Sequence, residues 1–343
     1  MSQDTLSDVL RGVRLRGAVF FYVSGIGEWA AEAPASKDIA PLIMRGVEHV
    51  MEYHVVARGS CWAGIPGGPA ARLSIGDVAL FPHGDAHVVS NAPGMRGDAP
   101  DPDWFGQSAL GPLPLRIAYR GANRPSNAPS DVAGETTIVC GFLGCDRQPF
   151  NPLIESLPRL LHLRATDDGS WIAQFMHQAV AESSASRPGS EAMLARMSEM
   201  MFVDAMRRYT ASLPPDSAGW LAGLRDRLIG RALALLHEQP AQDWTIDDLG
   251  RRVGLSRSAL HERFAQLIGM PPMQYLAQWR MQVAARMLLD TSATVATIAL
   301  EVGYDSEAAF ARAFKRLVGQ PPAAWRRDRQ QGAGQRPDAA PIE

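Results

Sequence analysis

The sequence predicts an α+β multidomain chain with a β-rich N-terminal half, a helical middle and an all-α C-terminal domain. Three observations carry this reading. Residues 1–145 alternate short apolar runs with turn signals at intervals of about 8–12 residues. Residues 150–213 change to helical periodicity. Residues 245–325 contain one unit of about 50 residues written twice. A chain of 343 residues suggests two domains, and its 46% hydrophobic content can fill their cores.

The apolar runs of the first half are Ala18–Val23, Val47–Ala57, Ser60–Ile65, Ala70–Leu73, Asp77–Phe81, His87–Ser90, Leu115–Tyr119 and Thr136–Phe142. They predict the strands of a sandwich or barrel. Within them Gly76, Pro82, Gly84, His87 and Asn91 follow the spacing G-x5-P-x-G-x2-H-x3-N. The glycines permit turns, and the proline starts a strand that points His87 inward. This stretch resembles the second motif of the cupin family, and the N-terminal half as a whole is similar to a cupin-type sensor domain through Gly59-Ser60-Cys61-Trp62 and Gly76-Asp77-Val78-Ala79-Leu80-Phe81-Pro82. The resemblance implies a cupin-like sensor domain over residues 1–149.

The first cupin motif is degraded. His54 stands for one of its two histidines, the partner position is Val56, and residues 58–61 read Arg-Gly-Ser-Cys, with no glutamate for the fourth ligand. A catalytic metal needs three or four protein ligands. Two histidines survive, with His83 and Cys61 as further candidates. The expectation is therefore no metal cofactor, and a small organic effector touching His54, His87 and Cys61. Two other readings stay open: His54 and His87 as a metal pair, or as hydrogen-bonded core residues. Cys140 and Cys145, placed at the end of a strand and in the turn after it, could form a redox sensor if one were an accessible thiolate with a resolving partner. Otherwise they are small core hydrophobes. Three cysteines do not make a disulfide framework.

The middle segment, residues 150–213, predicts helices over Pro152–Leu161, Ser170–Ser184 and Ser190–Leu213. In the last, Met193, Leu194, Met197, Met200, Met201 and Phe202 fall within three turns. That face is wider than one packing partner requires, and methionines suit adaptable interfaces. The expectation is a homodimer through this region, with packing on the neighbouring domains as the alternative. Leu213–Gly219 reads as a linker. At about 3.3 Å per residue it reaches only some 23 Å.

In the repeat, copy one runs Thr245, Ile246, Leu249, Val253, Gly254, Leu260, Phe264, Gly269, Pro271, Pro272 and Tyr275. Copy two runs Thr294, Val295, Ile298, Val302, Gly303, Phe310, Phe314, Gly319, Pro321, Pro322 and Trp325. Thr caps a short helix and Gly ends it in the left-handed region. Ser256 or Ser306 then caps a second helix, with the stripe Leu260, Phe264, Leu267 or Phe310, Phe314, Leu317 turned inward. The outward faces hold Arg257, Ser258, His261 and Glu262 in copy one. In copy two they hold Glu307, Ala308, Ala311, Arg312 and Lys315. Two such hairpins, joined by the helix-like stretch Met273–Leu289, read as a helix-turn-helix made twice.

Residues 220–328 resemble the DNA-binding domain of the AraC/XylS transcription regulators, carried by Gly303-Tyr304-Asp305-Ser306-Glu307-Ala308-Ala309-Phe310-Ala311-Arg312-Ala313-Phe314-Lys315-Arg316 and the following Gly319 and Pro321-Pro322. The resemblance implies seven helices and two recognition helices in successive major grooves. It places base contacts on Ser258, His261 and Glu262, and on Glu307, Ala308, Ala311 and Arg312. Glu262 would suit a cytosine amino group. Arg257, Ser306 and Lys315 complete the expected DNA face. Residues 329–343 are expected to be a disordered tail.

Charge agrees. Residues 221–329 carry 15 Arg/Lys against 11 Asp/Glu, a net +4, and the remainder carries −6. Gly17–Val23 is too short for a signal-peptide core or a membrane span, so the expected location is the reducing cytoplasm. The expected function is a non-enzymatic, promoter-binding, effector-responsive regulator that contacts RNA polymerase if it activates. The alternatives are a metal-dependent cupin enzyme (a dioxygenase or isomerase) with a helical appendage, a cysteine-based redox regulator, and a DNA adaptor repair protein sharing the reader.

Overall fold

Each predicted strand is present, and the pairing between strands shows which faces are buried. The protein is represented by a computed structural model that describes residues 4–44, 47–98, 115–120, 135–165, 174–175, 178–179 and 188–334. It divides into two compact units. One comprises Leu15–Cys145 and Leu157–Ser212; the other comprises Met1–Arg14, Asp146–Ser156 and Leu213–Glu343.

The first unit contains β1 (Arg16–Ile26), β2 (Ala30–Ala33), α2 (Ser36–Ile43), β3 (His49–Arg58), β4 (Ser60–Gly64), β5 (Ala70–Ser74), β6 (Val78–Phe81), β7 (His87–Ser90), β8 (Leu115–Arg120), β9 (Thr136–Cys145), β10 (Leu161–Leu163) and α4 (Ser190–Ser212). The strands form two sheets, ordered β10-β6-β3-β9-β1-β8 and β2-β7-β4-β5. A sandwich or barrel was expected; the hydrogen bonding makes two sheets around a shared core that includes Val50, Val56, Phe81, Val89, Ile138 and Phe142. Two strands were not anticipated: β2 is alanine-rich, with little strand propensity, and β10 occupies the end of the expected helix Pro152–Leu161. That helix, α3, covers only Pro152–Glu155. Pro158 disfavours helical geometry at Leu157, and residues 161–163 pair with β6 instead. Most of the expected helix Ser170–Ser184 lies outside the described residues.

Alternation along β3 sorts its side chains. Tyr53 faces α4, its hydroxyl 2.7 Å from the Ser198 hydroxyl. Val50 and Val56 lie in the shared core, so Glu52 and His54, at the same parity, point there too. Gly17 on β1 lets α4 approach closely, since a Cβ there would lie 2.3 Å from the Ala195 carbonyl oxygen. On α4, Leu194, Met201, Phe202, Ala205 and Met206 are buried, whereas Met193 and Met200 are about half exposed.

The second unit is helical: α1 (Thr5–Gly12), α3, α5 (Trp220–Arg225), α6 (Arg227–Glu238), α7 (Ile246–Val253), α8 (Arg257–Ile268), α9 (Pro272–Asp290), α10 (Val295–Glu301), α11 (Glu307–Val318) and α12 (Pro322–Gly334). From residue 220 onward there are eight described helices where seven were expected. Asp226 ends α5 in an extended conformation and caps α6 by accepting from Leu228 and Ile229 N–H. Helix α12 continues to Gly334, so the first part of the expected disordered tail 329–343 is helical; residues 335–343 lie outside the described set.

The expected boundary at 213 is where the chain enters the helical unit, whereas residues 1–14 and the stretch around the expected 149/150 boundary fall in that unit and not with the sheets. Residues 1–14 and 146–156 belong to the helical body because Gln282 on α9 holds both. Its amide donates to the Gly12 carbonyl at 2.8 Å and its oxygen accepts from Phe150 N–H at 3.0 Å. Arg14 adds a forked pair to Asp146 at 2.6 and 2.9 Å.

Arg280, also on α9, donates to the carbonyls of Pro240, Gln242 and Gly303. It thereby fixes the entry to copy one against the turn of copy two. Gly303 has φ +83°, and a Cβ there would lie 2.6 Å from the Ala241 oxygen, whereas Gly254 (φ +81°) has open space. Gly254→Ala should cost about 1–2 kcal/mol from the left-handed backbone alone, and Gly303→Ala clearly more. Urea denaturation of both variants checks this; equal losses would show that the packing at Gly303 is unimportant.

Candidate functional site

The two repeat copies are built by the same local chemistry. Thr245 accepts from Asp248 N–H at 3.0 Å and Thr294 from Thr297 N–H at 3.1 Å. Ser256 accepts from Ala259 N–H at 3.3 Å and Ser306 from Ala309 N–H at 3.2 Å. These caps satisfy otherwise unpaired helix-terminal donors. Left-handed glycines at 254 and 269, and at 303 and 319, end the segments. Leu260 and Phe264, and Phe310 and Phe314, are fully buried. The third member of each expected stripe is not: Leu267 is half-buried and Leu317 is 38% exposed, because the last turn of each helix runs past its packing partners.

The outward faces are as expected. Arg257, Ser258, His261 and Glu262 on α8 are exposed, as are Ser306, Glu307, Ala308, Arg312 and Lys315 at α11; Ala311 is half-buried. Arg257 lies 3.6 Å from Asp247. Among the described residues, Arg312 and Lys315 make no ion pair, so both cations are available to a ligand. The Ser306 hydroxyl is engaged in capping.

A second constellation lies between the two sheets. His54 and His87 are brought together, their Nε2 atoms 2.7 Å apart. His87 Nδ1 donates to the Asp85 carbonyl at 2.8 Å, and its ring stacks on Phe81 at a centroid distance of 3.6 Å. His54 Nδ1 lies 2.9 Å from Cys140 Sγ, because His54 and Cys140 are cross-strand partners. Glu52, two residues before His54 on the same strand face, places its oxygens 3.9 Å from His54 Nε2 and 3.8 Å from His87 Nε2. The three side chains converge, with one ligand atom from each inside a 4.8 Å sphere of mutual separation. All three residues are buried.

Burial sets their chemistry. Desolvation pushes the Glu52 carboxyl up to about 8. Desolvation, opposed by the Asp85 carbonyl, brings His87 down to about 4. Burial and then the His87 neighbour hold His54 well below the usual imidazole range. Burial thus disfavours the charged form of all three groups.

Sequence reasoning missed Glu52 by seeking the carboxylate after the histidine, among residues 58–61. The usable signal was a single acidic residue inside the apolar run Val50–Val56, since glutamate is almost never buried without a partner. His83 does not join the cluster; its Nε2 bonds to the Leu157 carbonyl at 2.8 Å. Cys61 is a core residue whose thiol is pushed up to about 12, by burial and then by Asp77.

The structure does not bring Cys140 and Cys145 together. Both lie on β9, where the turn was expected at Cys145. An odd separation puts them on opposite faces, about 16 Å apart at 3.3 Å per residue. Both are buried, and burial, reinforced by Glu52 and Cys61, raises the Cys140 thiol well above its ordinary value. An accessible thiolate with a resolving partner is thus not formed by this pair.

Comparison with known proteins agrees with both halves. Residues 4–211 match the Cupin family and residues 249–328 match a Helix-turn-helix domain family. An AraC-like transcription regulator of Streptomyces lividans is 28% identical over 94% of this chain and 98% of its own length. The HTH-type transcriptional regulator AlkR of Acinetobacter baylyi is 26% identical over 94% and 99%. The solved DNA-binding domain of AdpA in complex with a target DNA is 29% identical over 32% of this chain and 99% of that domain, with a TM-score of 0.31. No described helix is long and apolar enough to cross a membrane. The chain belongs to the AraC-type transcription regulators that carry an N-terminal cupin domain.

Proposed function

We propose that this regulator is a cytoplasmic homodimer that binds promoter DNA without catalysis and answers to a small effector held in its cupin unit. The observation that carries the DNA reading is the pair of exposed recognition faces on α8 and α11, in two hairpins whose leading segments Arg280 ties together through the Pro240, Gln242 and Gly303 carbonyls. Their side chains suit major-groove base edges, and Arg312 and Lys315 supply cations that no described residue pairs with. The half-exposed Met193 and Met200 on α4 support dimerisation through that helix. The effector reading rests on the buried polar cluster of His54 and His87, which a purely structural core would not need. RNA polymerase is a further partner if the protein activates.

DNA upstream of its own and the divergently transcribed neighbouring gene is the first target for footprinting with purified full-length protein. The expected pattern is protection of two segments centred about 10 base pairs apart on one face of the duplex. Binding that competitor DNA removes equally from all fragments would overturn the reading.

A further inference from the structure

We propose that Arg280 sets the half-site spacing that this regulator accepts on DNA, by bonding to both copies of the reader at once. It acts through backbone carbonyls and not on a base, so it is a positioning residue. This role rests on the reading above that both recognition helices engage one duplex together.

One guanidinium is shared between the copies. From the middle of α9 it donates through Nε to the Pro240 carbonyl at 2.7 Å and through Nη2 to the Gln242 carbonyl at 2.8 Å. Both belong to residues 240–242, the strap that leads into copy one. Through Nη1 it donates at 3.1 Å to the Gly303 carbonyl, in the turn of copy two. Each end is itself tied to a reader. In the strap's continuation the Trp244 indole donates to the Gln239 carbonyl at 2.9 Å, and Arg252 of α7 lies over its ring at 4.7 Å. At the other end Arg280 lies over the Tyr304 ring at 5.7 Å, and that ring packs on Phe310 of recognition helix α11 at 5.6 Å. A guanidinium is a rigid planar fork, so three carbonyls bound to it cannot shift against one another without losing a bond.

The repeat supplies its own control. The dipeptide Trp-Arg occurs as Trp279-Arg280 and again as Trp325-Arg326. Arg326 on α12 donates to the Leu288 and Ala293 carbonyls at 2.8 and 2.7 Å, and so closes the entry of its own copy. Arg280 does the same for copy one and then reaches across. The glycine turns differ in the same way. A Cβ on Gly254 would meet open space, whereas one on Gly303 would lie 2.6 Å from the Ala241 oxygen and 2.8 Å from Arg280 Nη2. Stability of each hairpin by itself accounts for the Arg326 bonds. It does not account for the third bond of Arg280 or for the close approach at Gly303.

Duplex geometry turns this joint into specificity. One base pair added between half-sites carries the second about 3.4 Å along the axis and roughly 35° around it. Readers fixed to one another cannot follow both displacements, and a looser joint follows part of them.

The probe is a duplex library randomised over about 26 base pairs, room for two half-sites about 10 base pairs apart. It is enriched at fixed salt on full-length wild type, Arg280→Lys, Arg280→Met, Arg326→Lys and Gly303→Ala, and the spacing between recovered half-sites is counted. The best wild-type duplex is then titrated beside versions one base pair longer or shorter between the half-sites, with affinities corrected for the folded fraction from thermal melts. Arg280→Lys keeps the charge and the stem but cannot span three carbonyls. A one-base-pair change should cost wild type about tenfold or more, the order of a single mismatch, and both Arg280 variants about threefold or less. Base preferences within each half-site should not change. Arg326→Lys should lower the melting temperature and keep the wild-type spacing preference. Folded Arg280→Lys that discriminates as wild type does, or Arg326→Lys that loses discrimination equally, overturns this role. If the Arg280 variants do not fold, Gly303→Ala decides by the same ratio, since it forces the same joint. Wild type that enriches no bipartite motif overturns instead the double-reader reading on which this role rests.

Discussion

Arg312→Ala weakens specific operator binding by about 1–3 kcal/mol, roughly 5- to 150-fold, while leaving the fold intact. The side chain lies on the exposed face of α11 and makes no ion pair among the described residues, so its removal costs the folded protein almost nothing. A bidentate base contact, once lost, leaves the base edge unpaired, and the loss should be concentrated at one or two operator positions. A fluorescence titration at fixed salt on the operator and on operators altered at each position checks this, since salt alone shifts such affinities strongly. Unchanged affinity for the native operator would remove Arg312 from the reading face.

Phe310→Ala, two residues earlier on the same helix, should do the reverse. Phe310 is fully buried and packs against Tyr304 and Phe314 at ring-centroid distances of 5.6 and 5.5 Å. It belongs to the core formed with Met281, Leu288, Ile298, Val302 and Trp325. Truncating a buried phenylalanine costs about 3–5 kcal/mol, a large part of the stability of a small helical body. Denaturant titration should show that loss, with residual DNA binding confined to the fraction still folded. A cost below about 1 kcal/mol would mean that the core closes around the gap. The two variants together separate the reading face from the supporting face of one helix.

The C-terminal readers were legible because their information is local. Caps, left-handed glycines and a 3.6-residue period lie within each short helix and its two ends, and the repeat states them twice. The cupin half was legible as strands, because alternation and turn residues are also local. What stayed hidden was the pairing. Glu52 gains meaning only when β3, β6 and β9 are side by side and β7 brings His87 across, and no spacing rule links positions 52, 54 and 87 when the first motif is incomplete. Cys140 and Cys145 show the same limit from the other side: five residues apart reads as near, but the strand sends them to opposite faces. Leu161–Leu163 misled for a third reason. Its apolar run fits helix or strand equally, and only the free edge of β6 decides.

The chain crosses between its two bodies four times, after Arg14, Cys145, Ser156 and Ser212. A protease that nicks Leu213–Gly219 therefore does not liberate a reader. The amino-terminal fragment still carries α1 and α3, and Gln282 still grips Gly12 and Phe150 without any peptide bond between the pieces. Conversely, a fragment starting at residue 220 leaves home without those two segments, exposing an amide that evolved to be covered. The reader is a composite of three stretches of chain, and its autonomy is bounded by the first turns of the protein's own amino terminus.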